Sequence, residues 1–159
     1  MPVKREADIR IKAEPYANPL AQQLCEEIQD EYRNRYGGDG DQSPIDPDDF
    51  DPPQGIFLIA YDTDGEALGC GAWKTVDPET VEFKRIYVRE HARRRGLARL
   101  IMEDLESTAR DAGRSRVILF TGPEQPEAIA MYEAMGYTPI EPFGAYAEYE
   151  DTVHVGKAL

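Results

Sequence analysis

The sequence predicts an α/β fold, a mixed sheet with helices on both faces. Three observations predict it. Segments of period two alternate with segments of helical period in the order β-α-β-β-β-α-β-α-β-β. Turn signals separate the strands, most plainly Asp62-Thr63-Asp64-Gly65 between two apolar runs. A central strand, Val81-Glu82-Phe83-Lys84-Arg85-Ile86-Tyr87-Val88, switches through a short turn into a helix beginning near Gly96. At 159 residues, a single domain over 1–159 with a real core is expected.

The elements follow in order. Residues 8–13 alternate and predict the first strand. Asn18 before Pro19 predicts an N-cap with proline at the first helical position; Leu20, Leu24, Ile28 and Tyr32 mark one face, and Gly37-Gly38 ends the helix. Residues 37–55 hold six aspartates, four prolines and no basic residue. They predict a long flexible loop, too polar for a core element, with a short helical turn around 47–50. Gly55 to Tyr61 predicts a buried strand and residues 67–76 its antiparallel return. Gly69 and Gly71 lie inside that return. Lys74 stands where a dinucleotide fingerprint needs a third glycine, so a bulge or close packing is expected. From Gly96 the apolar residues Leu97, Leu100, Ile101, Leu105 and Ala109 predict an amphipathic helix over 96–112. A short apolar strand at 116–120, a helix at 126–135, a strand from Tyr137, a turn at 142–146 and a last strand at 152–157 complete the chain.

The chain carries 18 basic and 31 acidic residues, a formal net charge of −13. That disfavours generic binding to nucleic acid or anionic membrane. Yet Lys84, Arg85, Arg89, Arg93, Arg94, Arg95 and Arg99 place seven of the 18 basic residues within sixteen positions. A local anion site inside an acidic protein follows, the competing reading being a solvated basic face. Gly96 and Ala98 are small enough for a ligand to approach the backbone. The helix start offers unpaired N–H groups and a partial positive charge, and guanidinium groups bind phosphate well. A diphosphate cradle is the chemical reading.

Arg93-x-x-Gly96-x-Ala98 after a central strand resembles the acetyl-CoA site of the GNAT N-acetyltransferases, whose signature is (Arg or Gln)-x-x-Gly-x-(Gly or Ala). Ala128-Ile129-Ala130-Met131-Tyr132-Glu133-Ala134-Met135-Gly136-Tyr137 is similar to the helix-turn-strand that closes that site in the family. The resemblance covers residues 55–140 well. It implies a GNAT fold, a mixed and mostly antiparallel sheet whose central strands splay. It implies acetyl-CoA as co-substrate, held by Ile86, Tyr87 and Val88 on the strand and by Arg93, Arg94, Arg95, Gly96, Leu97, Ala98 and Arg99 at the turn. It also implies Glu82 as general base and Tyr132 as the acid that protonates the departing thiolate. The residues alone leave two other readings open. Lys84 lies two residues from Glu82 and nominally on the same strand face, which would make an ion pair and lower the carboxyl pKa unless a bulge breaks the parity. Tyr132 can be an ordinary packed helix tyrosine. Gln125 stands where the family often has asparagine.

The implied function is acetyl transfer from acetyl-CoA to a primary amine by direct attack. The rival from another class is a CoA-binding regulatory module of the same fold, which needs the arginines and Gly96 but neither Glu82 nor Tyr132. The acceptor is unnamed by the sequence. The six aspartates of residues 37–55, without a compensating base, point to a cationic amine; Arg85 with Tyr146 points instead to an acceptor's carboxylate. There is no Walker glycine loop, no Gly-x-Ser-x-Gly elbow, and no metal-ligand spacing among His91, His154, Cys25 and Cys70, so no metal is expected. No apolar run is long enough to span a bilayer, and a reduced, cytoplasmic protein is expected. Oligomeric state is not set by these features, and a homodimer is compatible with them.

Overall fold

Alternation along the strand Gly55–Tyr61 divides the interior in two. Leu58 and Ala60 enter one buried cluster, while Phe57 and Ile59 enter another on the opposite face. The structure, a computed structural model, describes residues 8–41, 45–149 and 152–159. Residues 42–44 of the expected loop, and 1–7 and 150–151 of the expected domain, lie outside the described residues. The elements are β1 (Arg10–Ala13), α1 (Pro19–Tyr36), β2 (Gly55–Tyr61), β3 (Ala67–Thr75), β4 (Thr80–Val88), α2 (Leu97–Asp111), β5 (Arg116–Thr121), α3 (Pro126–Ala134), β6 (Thr138–Pro139) and β7 (Val153–Ala158). Short 3-10 turns lie at Pro47–Phe50, Glu90–Ala92 and Gly144–Tyr146.

The sheet order is β1-β2-β3-β4-β5-β7-β6, and every neighbouring pair is antiparallel except β4 with β5. Helix α1 begins where Asn18 Oδ1 accepts the Leu20 N–H at 2.8 Å and ends where Gly37 turns to φ 73°. Its Ala21, Leu24 and Ile28 cover Phe57, Ile59, Cys70 and Ala72 on one face of the sheet. On the other face, Ile101, Met102, Leu105 and Ala109 of α2 meet Leu58, Ala60, Trp73, Val81 and Phe83, joined by Tyr132 and Met135. Helices thus cover both faces, as the periodicity predicts.

The polar loop departs from expectation. Phe50, at the end of the Pro47–Phe50 turn, is completely buried and lies 5.1 Å from the Tyr16 ring and 6.4 Å from that of Phe57. Asp46 and Asp49 form a capping box around that turn. The aspartates flanking Phe50 therefore cap and orient a core residue, so the segment does contribute to the core.

Both readings of Gly69 and Gly71 hold. Cys70 faces Tyr87 and Ala72 faces Lys84, so one residue of β3 opposes two of β4 and the pair is bulged. A Cβ on Gly69 would meet the Tyr87 carbonyl oxygen at 2.4 Å, and one on Gly71 would meet Ile101 Cγ2 at 2.6 Å. The bulge places Arg85 at φ 61°, a left-handed conformation rarely used by a residue with a side chain. It comes after Lys84, so the Glu82–Lys84 parity survives.

Replacing Phe50 with Ala is expected to cost about 3–5 kcal/mol of unfolding free energy. Urea denaturation checks this. A loss below about 1 kcal/mol would show that the loop only drapes over the core.

Candidate active site

Strands β4 and β5 pair through Thr80–Arg116, Val81–Val117 and Glu82–Ile118, and pairing stops there. Strand β4 continues to Val88, and β5 continues to Thr121 while bonded on its other side to β7. The two strands splay, and residues 83–88 turn toward the gap a backbone edge that β5 leaves uncovered. Backbone donors left unpaired by a neighbouring strand are available to a ligand.

Three clefts sharing walls occupy this gap. The largest, about 700 Å³, is lined by Ile86, Tyr87, Val88, Arg93, Arg94, Gly96, Leu97, Ala98 and Arg99, with Ala128, Met131 and Tyr132 of α3 opposite and Glu31 and Arg35 of α1 at its rim. Nine of the ten residues expected to hold the cofactor thus share one wall; Arg95 is exposed and is not on it. A narrower cleft between the splayed strands is lined by Phe83, Lys84, Arg85, Ile86, Leu119, Phe120, Thr121, Tyr32, Asp41, Gln125 and Tyr132. The third, about 420 Å³, has walls from Tyr32, Tyr36, Asp41, Phe120, Gln125, Tyr146 and Tyr149. Tyr132 joins the first two clefts, and Gln125 borders all three.

The turn into α2 suits an anion. Arg94 at φ 65° and Gly96 at φ 76° bend the backbone, and the first bond at the head of the helix runs from Leu100 N–H to Gly96 O. The N–H groups of Leu97, Ala98 and Arg99 therefore precede the helix ladder. The arginines are less available than their number suggests. Arg93 donates Nε to Val88 O at 2.8 Å and Nη2 to Glu31 at 2.9 Å. Arg89 makes a two-point pair with Glu27, at 3.0 and 2.8 Å, and Arg99 meets Glu103 at 3.1 Å. Arg93 thus braces the end of β4 against α1, with Arg94 and the helix start left as the anion-facing groups.

A buried charge cluster sits at the base of the splay. Lys84 Nζ lies 3.6 Å from Glu82 Oε2 and 3.4 Å from Asp41 Oδ2, and Arg85 Nη1 lies 3.2 Å from the same Asp41 oxygen. All four side chains are at most 10% exposed. The ion pair anticipated for Glu82 therefore forms. Even so, burial pushes the Glu82 carboxyl above its ordinary value, outweighing Lys84 and Lys74, which pull it down. Glu82 is on the wall of neither β4 cleft and reaches them past Lys84. Tyr132 is buried, which pushes its hydroxyl well above the usual tyrosine range and keeps the proton on oxygen.

Sequence reasoning missed Tyr32 and Phe120, and took Asp41 only as one of six loop aspartates facing a cationic acceptor, not as the partner of Lys84 and Arg85. Tyr32 carried a signal, since it continues the apolar face of α1. Asp41 carried none beyond its loop. The aspartates also prove less free than expected: Asp41 pairs with Lys84 and Arg85, Asp49 lies 3.8 Å from Lys74, and Asp51 accepts the Tyr16 N–H. The compensating bases come from β3 and β4. Tyr146 does reach the third cleft, its ring 5.3 Å from Phe120. Among the described residues there is no group of three or more His, Cys, Asp or Glu side chains able to hold a metal, and no helix is long and apolar enough to cross a membrane.

This geometry has relatives. The sequence model of the acetyltransferase (GNAT) family matches residues 21–137. An IAA acetyltransferase of Azospirillum brasilense is 39% identical over 92 residues, 57% of this chain and 59% of that protein, so the chain matches less than two thirds of its length. A solved structure from Klebsiella pneumoniae, described as an acyl-CoA N-acyltransferase, matches with a TM-score of 0.80 and 26% identity over 95% of this chain and 97% of that one. A GNAT family acetyltransferase from Elizabethkingia anophelis, solved with acetyl-CoA bound, has the same fold, with a TM-score of 0.69 and 17% identity over 96% and 99% of the two chains.

The cluster makes a prediction of sign. Lys84 lowers the Glu82 pKa, so Lys84→Met is expected to raise it further. Carboxyl carbon NMR titration should place Glu82 above the ordinary 4.5 in the native protein and higher still in the variant. A downward shift in the variant would mean that Lys84 does not set the field at Glu82.

Proposed function

The chain belongs to the GNAT acetyltransferase family, and on that premise we propose that it moves the acetyl group of acetyl-CoA to a primary amine by direct attack. The amine is that of a small molecule, an amino acid or a peptide. The observation that carries the reading is the splay. The uncovered edge of β4 ends beside the N-terminal turn of α2, and both line one cleft of about 700 Å³.

Bound acetyl-CoA supplies an activated acyl group as its thioester. The chain does the rest. The N–H groups of Leu97 to Arg99 and the Arg94 guanidinium take the diphosphate. The Ile86 to Val88 edge pairs with the amide-bearing arm and presents an N–H to the acyl oxygen, where charge develops as the amine attacks. Glu82 accepts the ammonium proton through water past Lys84, its pKa raised toward the working range by burial. Tyr132 stands between the two clefts with its proton retained, placed to give it to the departing sulfur.

An amine screen that follows thiol release from acetyl-CoA tests the reading. Release with at least one amine supports transfer, and none with any amine leaves a CoA-binding module. Glu82→Gln is expected to lower kcat about 10²–10⁴-fold with CoA affinity unchanged. The base works ionised, so the native kcat/KM should rise with pH through a value above 4.5, and this limb should vanish in the variant. A limb unchanged by Glu82→Gln would assign it to another group. Tyr132→Phe should slow turnover more than it alters either Michaelis constant; full activity would leave water as the acid.

A further inference from the structure

We propose that the acceptor carries a carboxylate beside its amine, an amino acid or close relative, and that Arg85 with Lys84 receives that carboxylate in the place held by Asp41. The inference rests on the transferase reading and names the substrate class of the same site.

The Arg85 side chain is 7% exposed, the residue lines the cleft between the splayed strands, and it sits on the bulge at φ 61°. A buried guanidinium on a strained residue has a cost that a folded chain tolerates when the group has a use. Among the described residues, the anion that meets it is Asp41, with Oδ2 at 3.2 Å from Nη1. The buried Arg85 Nε has no hydrogen-bond partner among the described residues. Nε–H and the neighbouring Nη2 N–H point the same way and form the side-on fork of a guanidinium, whereas Asp41 meets Nη1, so the Nε edge of the fork is not met by Asp41. The other ionisable neighbours of Arg85 are Cys25, Tyr16 and Tyr32, whose pKa values burial raises, keeping them neutral.

Charge balance points the same way. Glu82 and Asp41 offset Lys84 and Arg85, and an incoming carboxylate that replaces Asp41 preserves that balance. Asp41 lies outside the helices and strands, and its backbone is tied to Gln29 of α1 by bonds of 2.7 and 3.1 Å, so the side chain alone has to swing off Arg85 and Lys84. Position fits as well. Ile86, Tyr132 and Arg85 line the same cleft, so a carboxylate on Arg85 shares the space beside the open β4 edge with the amine of the same acceptor. Tyr32, Phe120, Tyr146 and Tyr149 line the adjoining cleft, which suits an apolar or aromatic side chain.

The test uses the full chain saturated with CoA. Calorimetry compares free L-phenylalanine and L-leucine with their carboxamides and with spermidine, and thiol release from acetyl-CoA is followed with the same compounds. The acids are expected to bind about ten-fold or more tightly than the amides. Asp41→Asn should tighten the acids by several-fold, because a competing and repelling charge is removed. Arg85→Lys keeps the charge but loses the fork, and should weaken acids about ten-fold while leaving amides alone. Equal binding of acid and amide, or weaker acid binding in Asp41→Asn, overturns the proposal. If spermidine leads in thiol release and acids do not outbind amides, the carboxylate site is wrong and the transferase reading stands. If acids outbind amides but no compound releases thiol, the site stands and the transferase reading fails.

Discussion

Three residue pairs hold β4 to β5, and the loss of the fourth makes the site. If the parallel ladder ran on past Glu82–Ile118, residues 83–88 would be spent on β5, with no edge to bind a ligand and no gap to admit one. A distortion of β4 accompanies the break: the bulge opposite Gly71 turns Arg85 to φ 61° and changes the direction of Ile86, Tyr87 and Val88. Strand β5 stays in the sheet through its other edge, bonded to β7 as far as Thr121. Gly69 and Gly71 permit the bulge, because β3 must pass close under the Tyr87 carbonyl and the Ile101 side chain.

The splay also explains why charge is buried where it is. Opening two central strands exposes their side chains to a narrow space, and here Asp41, Lys84 and Arg85 enter it beside Phe83, Ile86, Leu119 and Phe120, with Glu82 paired to Lys84 at its base. Removing one partner of such a set leaves an uncompensated charge at a cost of about 3–5 kcal/mol. The chain's surplus of acid is therefore no guide to its site, whose balance is set by four named groups. Arg93 and Arg89 belong to the same scheme. By gripping Glu31 and Glu27 they fasten the end of β4 to α1, and so hold the open edge in place.

Much of this was legible in the chain. The change of period from Val88 to Leu97 announced the strand, turn and helix, and local chemistry at Asn18, Pro19 and Gly37 marked both ends of α1. That nine of the residues expected at a cofactor site line one cleft was legible because they lie in one short stretch whose spacing a strand and a helix start convert directly into position. What was hidden depends on distant partners. Phe50 reads as one ring among aspartates, and only Tyr16 and Phe57 make it core. Asp41 reads as a solvated loop charge, and only Lys84 and Arg85, more than forty positions away, make it part of the site. The Glu82–Lys84 pair was readable from strand parity; whether a bulge would undo it depended on where the bulge fell.

Amide hydrogen exchange with and without acetyl-CoA tests most directly whether the uncovered edge of β4 and the first turn of α2 form one binding surface. Added protection is expected at Ile86, Tyr87 or Val88 together with Leu97 to Arg99, and none along β1 or β2. Protection absent from the β4 edge at saturating acetyl-CoA, or confined to other elements, would contradict it.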